Sequence, residues 1–300
     1  MIAVDQLRYV RLGTRDLPAA IDFAQRILGL QLIERSDSAA YFRSDFRDHT
    51  LVYFCGEPAD KAVGLEIYGE EQFESAVAAV SRRGLNVTCG DKTACAHRKV
   101  RALASFRDPG GNTIELVLRP LNSGWRYFPA RDAGITGLSG IALRATDVAA
   151  CESLWTTVFN GRVSDWAGDA TFLRFDDAHH QLAYYPSTGS GILAVEFGVE
   201  NVDLLMQNNY FLQSAQVSIV HGPGRRPTSS QLFLTFAGPE GMLFSFVSEG
   251  DRIADEAKHR PRQFPHKRSS FCAWGSESQV PEFNCLPEAA ELSPRRGGKT

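Results

Sequence analysis

The sequence predicts an α+β protein of two tandem domains, each built from two paired modules of one strand, one helix and about three further strands. Two observations carry this prediction: the chain repeats itself at a nearly constant offset, and each repeat divides again into the same order of elements. Of the 300 residues, 43% are hydrophobic and 22% are charged, which is typical of a globular chain and excludes a disordered or fibrous one.

The internal repeat is visible in two pairs of similar segments. They are residues 42–54 (FRSDFRDHTLVYF) with 173–185 (LRFDDAHHQLAYY), and residues 106–118 (FRDPGGNTIELVL) with 236–248 (FAGPEGMLFSFVS). The first pair aligns His49 with His180, and the second aligns Pro109 with Pro239. We therefore expect an N-terminal domain, a C-terminal domain and a tail, whose bounds are residues 1–131, 132–249 and 250–300. The tail is polar and rich in Pro, Glu and Gly towards its end, so its last ~20 residues are predicted to be poorly ordered.

The first module shows why each element is predicted. Residues 6–12 (QLRYVRL) are predicted as a strand. Asp16 is a suitable N-cap, with Pro18 in the first turn, where its missing N–H costs nothing. Apolar side chains then recur at helical spacing up to Leu28, and Gly29 can end the helix. Short strands follow at residues 40–44 and 49–54.

Later modules repeat this order. The helix predicted over residues 71–84 places Phe73, Val77 and Val80 on one face. The other elements predicted for the second module are strands at residues 64–69, 86–89, 101–106 and 112–118. For the fourth module they are a helix at 201–215 and strands at 191–200, 217–222, 231–236 and 242–248. One module alone leaves an apolar sheet face open, so the modules are expected to pair.

Charge and cysteine usage exclude several classes of function. The net charge of -3 argues against a nucleic-acid-binding protein. No apolar run approaches the ~20 residues that cross a bilayer, and the N-terminus lacks a signal-peptide pattern, so we expect a cytoplasmic protein without membrane contact. The six cysteines form no C-x-x-C pair, which argues against a structural zinc site and favours free thiols.

The ordered modules, the D-P-G-G turn at residues 108–111 and the repeated helix start resemble the vicinal oxygen chelate superfamily. This group includes glyoxalase I, bleomycin-resistance proteins and the two-domain type I extradiol dioxygenases, and residues 5–249 look most like the dioxygenases. The resemblance implies that the first domain is a scaffold. It also implies that the second domain holds Fe(II) through two imidazoles and one carboxylate, which leave coordination positions open for catechol and oxygen.

The sequence departs from that ligand pattern at all three positions. Gly140 and Ala194 stand where the resemblance implies histidines, and Ser245 stands where it implies a carboxylate. The matching positions of the first domain are Tyr9, Gly64 and Glu115, of which only one is a good ligand. We therefore expect no metal at the vacated positions and no cofactor.

A His-His pair supplies the first candidate catalytic groups, His180 and His179. In the dioxygenases that the chain resembles, such a pair provides an imidazole that handles substrate protons, and imidazole titrates near neutral pH. Strand alternation predicts that the two rings point to opposite faces. The alternative is a structural role, because the first domain carries His49 at the equivalent position.

Two charged residues are further candidates. Glu196 follows Ala194 by two positions and is expected on the same face, beside the imidazole, although its predicted repeat mate Glu66 favours a structural role. In the dioxygenases that the chain resembles, the position of Arg226 is often a pocket histidine, and the guanidinium would stabilise a developing enolate or phenolate there. The alternative for Arg226 is an arginine in a solvent-facing loop.

Other residues are predicted to surround the substrate. Thr235 and Ser245 are polar candidates, and Trp166 and Phe172 are a possible aromatic wall whose default interpretation is core packing. A different metal site made of His180, Glu196 and His221 is a further hypothesis, although its spacing matches no recognised ligand pattern.

Three functions remain open. The first is an enzyme of aromatic compound catabolism that uses His-based proton transfer without metal, as a C–C hydrolase, lyase or isomerase. The second is a true extradiol dioxygenase with atypical metal ligands. The third is a protein that binds and sequesters an aromatic compound. For partners we expect an oxygenated aromatic or ring-cleaved substrate and, by analogy with relatives, a homo-oligomer.

Overall fold

The computed structural model describes residues 1–284 and contains two large β-sheets, one for each repeat. The strands of the first sheet are β1 (Val4–Thr14), β2 (Gln31–Arg35), β3 (Ala39–Arg43), β4 (Leu51–Cys55), β5 (Lys61–Ile67), β6 (Val87–Cys89), β7 (Ala102–Arg107) and β8 (Thr113–Leu118). Its helices are α1 (Leu17–Asp22), which continues as a π-helical turn (Phe23–Leu28), α2 (Glu70–Arg82) and α3 (Lys92–Arg98). In space the strands follow the order β2-β3-β4-β1-β5-β8-β7-β6.

The second sheet repeats this arrangement and gains one strand from the tail. Its strands are β9 (Ile135–Ala145), β10 (Arg162–Ala167), β11 (Ala170–Arg174), β12 (Leu182–Pro186), β13 (Gly191–Val199), β14 (Ile219–Arg225), β15 (Leu232–Ala237), β16 (Leu243–Ser248) and β17 (Arg262–Phe264). Its helices are α4 (Val148–Thr157) and α5 (Val202–Ser214), with short 3-10 turns at Pro239–Gly241, Arg268–Ser270 and Pro281–Phe283. The spatial order is β14-β15-β16-β13-β9-β12-β11-β10-β17.

Strand pairing confirms the predicted α+β fold of paired modules. In the middle of each sheet the first strands of two modules run antiparallel, β1 with β5 and β9 with β13. Each of these strands also pairs in parallel with the last strand of its own module, as in β1–β4, β5–β8, β9–β12 and β13–β16. The modules therefore meet edge to edge at their first strands, as expected if neither buries its apolar face alone.

Helix ends follow the local signals in the sequence. The Asp16 carboxylate accepts the Ala19 N–H at 3.0 Å, Pro18 lies in the first turn, and Gly29 ends the π-helical turn at φ 84°. The equivalent helix α4 begins in the same way, because Asp147 accepts the Ala150 N–H at 2.9 Å. The predicted start of both helices is therefore confirmed, and so is the end of the first helix at Gly29, although its last turn is π-helical.

Small side chains on the inner face of the second sheet leave room that the tail fills. The alanines of this apolar cluster are Ala142, Ala167, Ala170, Ala183 and Ala194. Phe271 and Phe283 from the tail pack into the same cluster and are 6% and 5% exposed. Burying such a side chain contributes about 1.5–3 kcal/mol, so the part of the tail that is described belongs to the fold. Most of the stretch predicted to be poorly ordered lies outside the described residues.

Two further expectations concern the whole chain. Among residues 1–284, no helix is long and apolar enough to span a membrane. The cysteines of this part of the chain are free thiols, and Cys151 packs in the main core with 0% exposure. Cys285 lies outside the described residues.

Candidate active site

Three residues on adjacent middle strands of the second sheet form one row, which we call the row. Two of them are predicted positions and the third is not. Glu196 of β13 pairs with Gly140 of β9 on one side and with Ser245 of β16 on the other. Ala194 pairs with Ala142 and so lies outside this row. The structure therefore places Glu196, and not Ala194, in the row with Gly140 and Ser245. The register shift between Ile192 and Ala194 explains the difference, because a bulge displaces the strand relative to the sequence alignment.

The first sheet gives independent evidence for this row. Tyr9 pairs with Gly64, and Gly64 pairs with Glu115, which reproduces the three predicted matching positions in one line. The structural equivalent of Gly64 is therefore Glu196. The predicted repeat mate of Glu196, Glu66, lies elsewhere, so the argument that Glu66 favours a structural role for Glu196 no longer holds.

Glu196 holds two buried partners. Its Oε1 accepts a hydrogen bond from Nη2 of Arg226 at 2.5 Å, and its Oε2 lies 3.7 Å from Nε2 of His180. Nη1 of Arg226 lies 3.4 Å from the same His180 nitrogen. The side chains of Glu196, His180 and Arg226 are 3%, 3% and 9% exposed. Arg226 is therefore a buried residue of the site and not a solvent-facing loop arginine. We call these three residues the His180 cluster.

Burial and charge set the protonation states of this cluster. Burial lowers the pKa of His180 to about 4 although Glu196 opposes the shift, so the imidazole is neutral at pH 7. Burial alone would raise the pKa of Glu196, but the Arg226 charge and the His180 contact bring it down to about 2. The cluster therefore contains one carboxylate, one guanidinium and one neutral imidazole.

His179 and His180 do not alternate as predicted. Both residues precede β12 in an irregular segment, where strand alternation does not apply, and both rings are buried. Nδ1 of His179 lies 3.0 Å from Nδ1 of His180, and Nε2 of His179 lies 3.0 Å from Oδ2 of Asp165. Asp165 was missed by the sequence analysis. The sequence offered no local signal for it, because its partner His179 lies 14 positions further along the chain.

The polar and aromatic candidates divide into two groups. Ser245 of the row and Thr235 of the neighbouring strand β15 are buried, and their side-chain oxygens form a hydrogen bond of 2.8 Å. Phe172 places its ring 5.1 Å from the His180 ring, edge to face. Trp166 is placed elsewhere: its Nε1 donates to the Glu152 carboxylate of α4 at 2.7 Å. Trp166 is therefore no part of the aromatic wall, because its strand position faces the helix.

His221 also lies near the cluster but has other partners. Its ring stacks on Phe283 at 5.4 Å and packs on Phe233 at 4.6 Å. Within residues 1–284, no group of three or more His, Cys, Asp or Glu side chains is placed to hold a metal ion. The hypothetical metal trio with His180 and Glu196 therefore does not assemble.

Two cavities lie along this face of the sheet. The inner one has a volume of about 10 Å³ and is lined by Phe172, Arg226, Thr235 and His221 among others. The outer one has about 790 Å³. Phe271 of the tail lines both, and the tail is held there by an ion pair of 2.5 Å between Glu282 and Arg144. The tail therefore divides the face into a closed inner cavity and an open outer one.

The residues present do not fit the iron centre that the resemblance implies. The row offers one carboxylate and one hydroxyl beside a glycine, and the carboxylate is already paired with a guanidinium. A 2-His-1-carboxylate site requires three donors with open positions on one side. A cation would also have to compete with the fixed charge of Arg226.

Comparisons with known proteins agree on the fold. Residues 6–116 match the model of the Glyoxalase/Bleomycin resistance protein/Dioxygenase superfamily. The 1,2-dihydroxynaphthalene dioxygenase of Sphingobium xenophagum is 24% identical over 268 residues, covering 82% of this chain and 89% of that protein. An iron-dependent extradiol dioxygenase of Rhodococcus jostii is 27% identical, with coverage of 93% and 99%.

Solved structures lead to the same conclusion. A halotolerant catechol dioxygenase superimposes with a TM-score of 0.84 at 21% identity, covering 95% of this chain and 98% of that one. The Mn(II)-bound glyoxalase from Novosphingobium aromaticivorans gives a TM-score of 0.83 at 22% identity, with coverage of 96% and 95%. The likeness shows that this chain has the same two-domain fold as these solved structures.

Proposed function

We propose that this protein is an enzyme that acts on a dihydroxylated aromatic compound, or on the product of its ring cleavage, by proton transfer at the His180 cluster without a bound metal. One observation carries the proposal: a buried guanidinium and a neutral imidazole meet at the position where relatives of this fold are expected to hold iron. The substrate class rests on the relatives, which are named as dioxygenases of such aromatic diols.

Each residue of the cluster has a role that its geometry supports. His180 is the general base, because its imidazole is neutral and Nε2 faces the other two residues. Arg226 supplies a fixed positive charge for a phenolate or enolate that forms when the substrate loses a proton. Glu196 holds Arg226 in place through its Oε1. The reactions open to this set are keto–enol isomerisation, retro-aldol cleavage and hydrolytic C–C cleavage.

Substrate access requires movement of the tail. The inner cavity of about 10 Å³ has room for about one water molecule, far less than an aromatic ring needs. The outer cavity of about 790 Å³ is large enough for such a substrate, and Phe271 lies between the two. We infer that the substrate enters the outer cavity and reaches the cluster when Phe271 and Phe283 move aside.

The proposal is tested by metal analysis together with turnover. Purified protein, before and after dialysis against a chelator, is incubated with 1,2-dihydroxynaphthalene, biphenyl-2,3-diol, 3-methylcatechol and their ring-cleavage products. We expect conversion of one of them without oxygen uptake and without dependence on metal. His180→Ala is expected to abolish conversion while the circular dichroism spectrum stays unchanged. Equal turnover by this variant, or binding of every compound without conversion, would refute the proposal.

Ring cleavage with an atypical metal centre is the second candidate. The relatives named above favour it directly, and Glu196 is a carboxylate in the row that the resemblance assigns to iron. In the same experiment it requires stoichiometric iron or manganese and oxygen uptake with an aromatic diol, both lost on chelation. That result would replace the metal-free proposal with this one.

A further inference from the structure

A line of buried polar groups leads from the His180 cluster towards the tail. Asp165 of β10 is 0% exposed, and its carboxylate contacts Nε2 of His179 at 3.0 Å. Nδ1 of His179 then contacts Nδ1 of His180 at 3.0 Å. The second nitrogen of His180 faces Arg226 and Glu196. Both imidazoles thus use both of their nitrogens in one connected path.

Asp165 fixes the position of the first proton in this path. Its Oδ1 accepts the backbone N–H of Arg262 at 2.7 Å, and its Oδ2 accepts Nη2 of Arg262 at 2.6 Å. Burial would raise the pKa of Asp165, but hydrogen bonds from His179 and Arg262 lower it below its usual range. An ionised carboxylate only accepts hydrogen bonds, so Nε2 of His179 carries a hydrogen.

The tautomer of His180 follows from that assignment. In a neutral His179 with its hydrogen on Nε2, Nδ1 is bare and accepts a hydrogen bond. Nδ1 of His180 is therefore the donor in the contact between the two rings, and Nε2 of His180 carries a lone pair towards which Nη1 of Arg226 donates at 3.4 Å. This lone pair faces the cluster and is the one that a general base needs.

His180 alone is a poor place to leave a positive charge. Burial lowers its pKa to about 4, and the Arg226 charge adds to the lowering while Glu196 opposes it. His179 is in a different electrostatic environment, because Asp165 lies against its outer nitrogen. A positive charge on His179 would lie 3.0 Å from an oxygen of the Asp165 carboxylate, whereas on His180 it would lie 3.4 Å from the Arg226 guanidinium.

We propose that His179 and Asp165 are positioning residues that fix the tautomer of His180 and carry the charge of the proton that His180 accepts. The substrate hydroxyl or C–H gives its proton to Nε2 of His180, and His180 passes its Nδ1 hydrogen to Nδ1 of His179. His180 ends neutral with its hydrogen on Nε2, and His179 ends as an imidazolium paired with Asp165. The substrate anion lies beside Arg226, and the reverse transfer returns one proton to the product.

The charges around this path are distributed to suit the transfer. On the substrate side they are Glu196 and Arg226. On the far side the Asp165 carboxylate faces Arg262, and Arg174 contributes a further positive charge at longer range. The net effect is a carboxylate on each side of the histidine pair, each held by its own arginine.

The tautomers are measurable without any substrate, so this inference is separable from the proposed function on which its chemistry rests. Selective ¹⁵N labelling of histidine and long-range ¹H–¹⁵N correlation spectra of the full chain report which nitrogen of each ring is protonated. We expect Nδ1–H for His180 and Nε2–H for His179 at pH 7. A hydrogen on Nε2 of His180 in the free protein would overturn the inference, whatever the turnover results are.

Asp165→Asn tests the role of the carboxylate, with 4-nitrocatechol as a probe because its absorption spectrum reports ionisation of the phenol. In the wild type we expect the bound anion together with a doubly protonated His179. In the variant the anion should bind about tenfold or more weakly, which corresponds to one pKa unit of lost stabilisation. Asp48→Asn is the matched control, because Asp48 contacts the equivalent His49 of the first half at 3.2 Å. An equal effect of both variants would contradict the relay.

If Asp165→Asn fails to fold, His179→Gln replaces it. Gln retains a hydrogen-bonding side chain but cannot become an imidazolium. The expected result is a fold that is retained, with loss of the fixed Nδ1–H signal of His180 and the same weaker binding of the 4-nitrocatechol anion. Unchanged binding of the anion would refute charge transfer to His179.

Discussion

The two halves of the molecule close the same row of three positions in opposite ways. In the first half the Tyr9 hydroxyl donates to Glu115 at 2.6 Å, and Arg98 of α3 pairs with the same carboxylate at 2.5 Å. The Tyr9 ring fills the space over Gly64, where an added Cβ would lie 2.6 Å from ring carbons. The row is therefore locked by one aromatic ring and one fully paired carboxylate.

In the second half the same row is open enough for a polar cluster. Gly140 replaces the tyrosine, and an added Cβ there would lie 3.1 Å from Oε2 of Glu196, so the glycine makes room for this carboxylate. The cover also differs, since α3 lies over the first row and the tail lies over the second. The comparison shows that the fold places three equivalent positions in a row in each half. The side chains at these positions decide whether the row has a structural role or forms a candidate active site.

The largest expected difference between the halves concerns their buried ion pairs. Arg226→Met leaves the charge of Glu196 buried without its arginine partner, which is expected to cost about 3–5 kcal/mol of unfolding free energy. Arg98→Met should cost less, because the Arg98 side chain is 20% exposed and Glu115 keeps the hydrogen bond from Tyr9. Urea unfolding of both variants gives the comparison. The double variant Arg226→Met/Glu196→Gln should regain most of the loss, and equal losses in the two halves would contradict this account.

Acid sensitivity is the next largest effect. The pKa of His180 is lowered by burial to about 4, so below the unfolded value of about 6.5 the unfolded chain binds a proton that the folded chain does not. Stability is therefore lost as pH falls from about 6.5 to about 4, and this one residue should account for about 2 kcal/mol between pH 7 and pH 5.

The measurement is the unfolding free energy at those two pH values for wild type and His180→Gln. The variant should show the smaller decrease. The pKa of the buried His49 is also lowered, mainly by burial, so His49→Gln tests whether the first half contributes in the same direction. A wild-type stability that is independent of pH over this range would show that His180 is not a neutral buried group.

The smallest expected difference in unfolding free energy is between two glycine-to-alanine variants, one in each half. Gly64→Ala must displace the rigid Tyr9 ring and should cost about 1–3 kcal/mol through overpacking. Gly140→Ala approaches only the end of the Glu196 side chain, so we expect less than about 1 kcal/mol. Thermal and urea unfolding of the two variants provide the test. A larger loss at Gly140 would indicate that the second row is packed as tightly as the first.

Local patterns were sufficient to predict most elements but not all of them. The helices that begin at Asp16 and Asp147 follow from capping residues and apolar spacing, which act within a few positions of the chain. The helix Lys92–Arg98 was missed because it is short and buries no residue completely, so it lacks an apolar period. The tail strand Arg262–Phe264 was missed because it forms only by pairing with β10.

The composition of the candidate site was predicted better than its geometry. His180, Glu196 and Arg226 were identified from residue types and position relative to the repeat, and the structure brings them together. Ala194 was assigned to the row in place of Glu196 because a bulge changes the register, and a bulge of this kind leaves no reliable mark in a single sequence. Trp166 was predicted to face the substrate, but it faces helix α4. The sequence alone does not show which face of the sheet this helix covers.

The sequence by itself determined the duplicated α+β fold and the absence of a metal-binding side chain at Gly140, since repeats and residue types are properties of the chain. Only the tertiary structure decided that Glu196 faces Gly140, that Arg226 is buried against it, and that Asp165 reaches His179. These contacts join residues from different strands and from the segments between them. Their partners are set by strand register and by long-range packing, which no local pattern encodes.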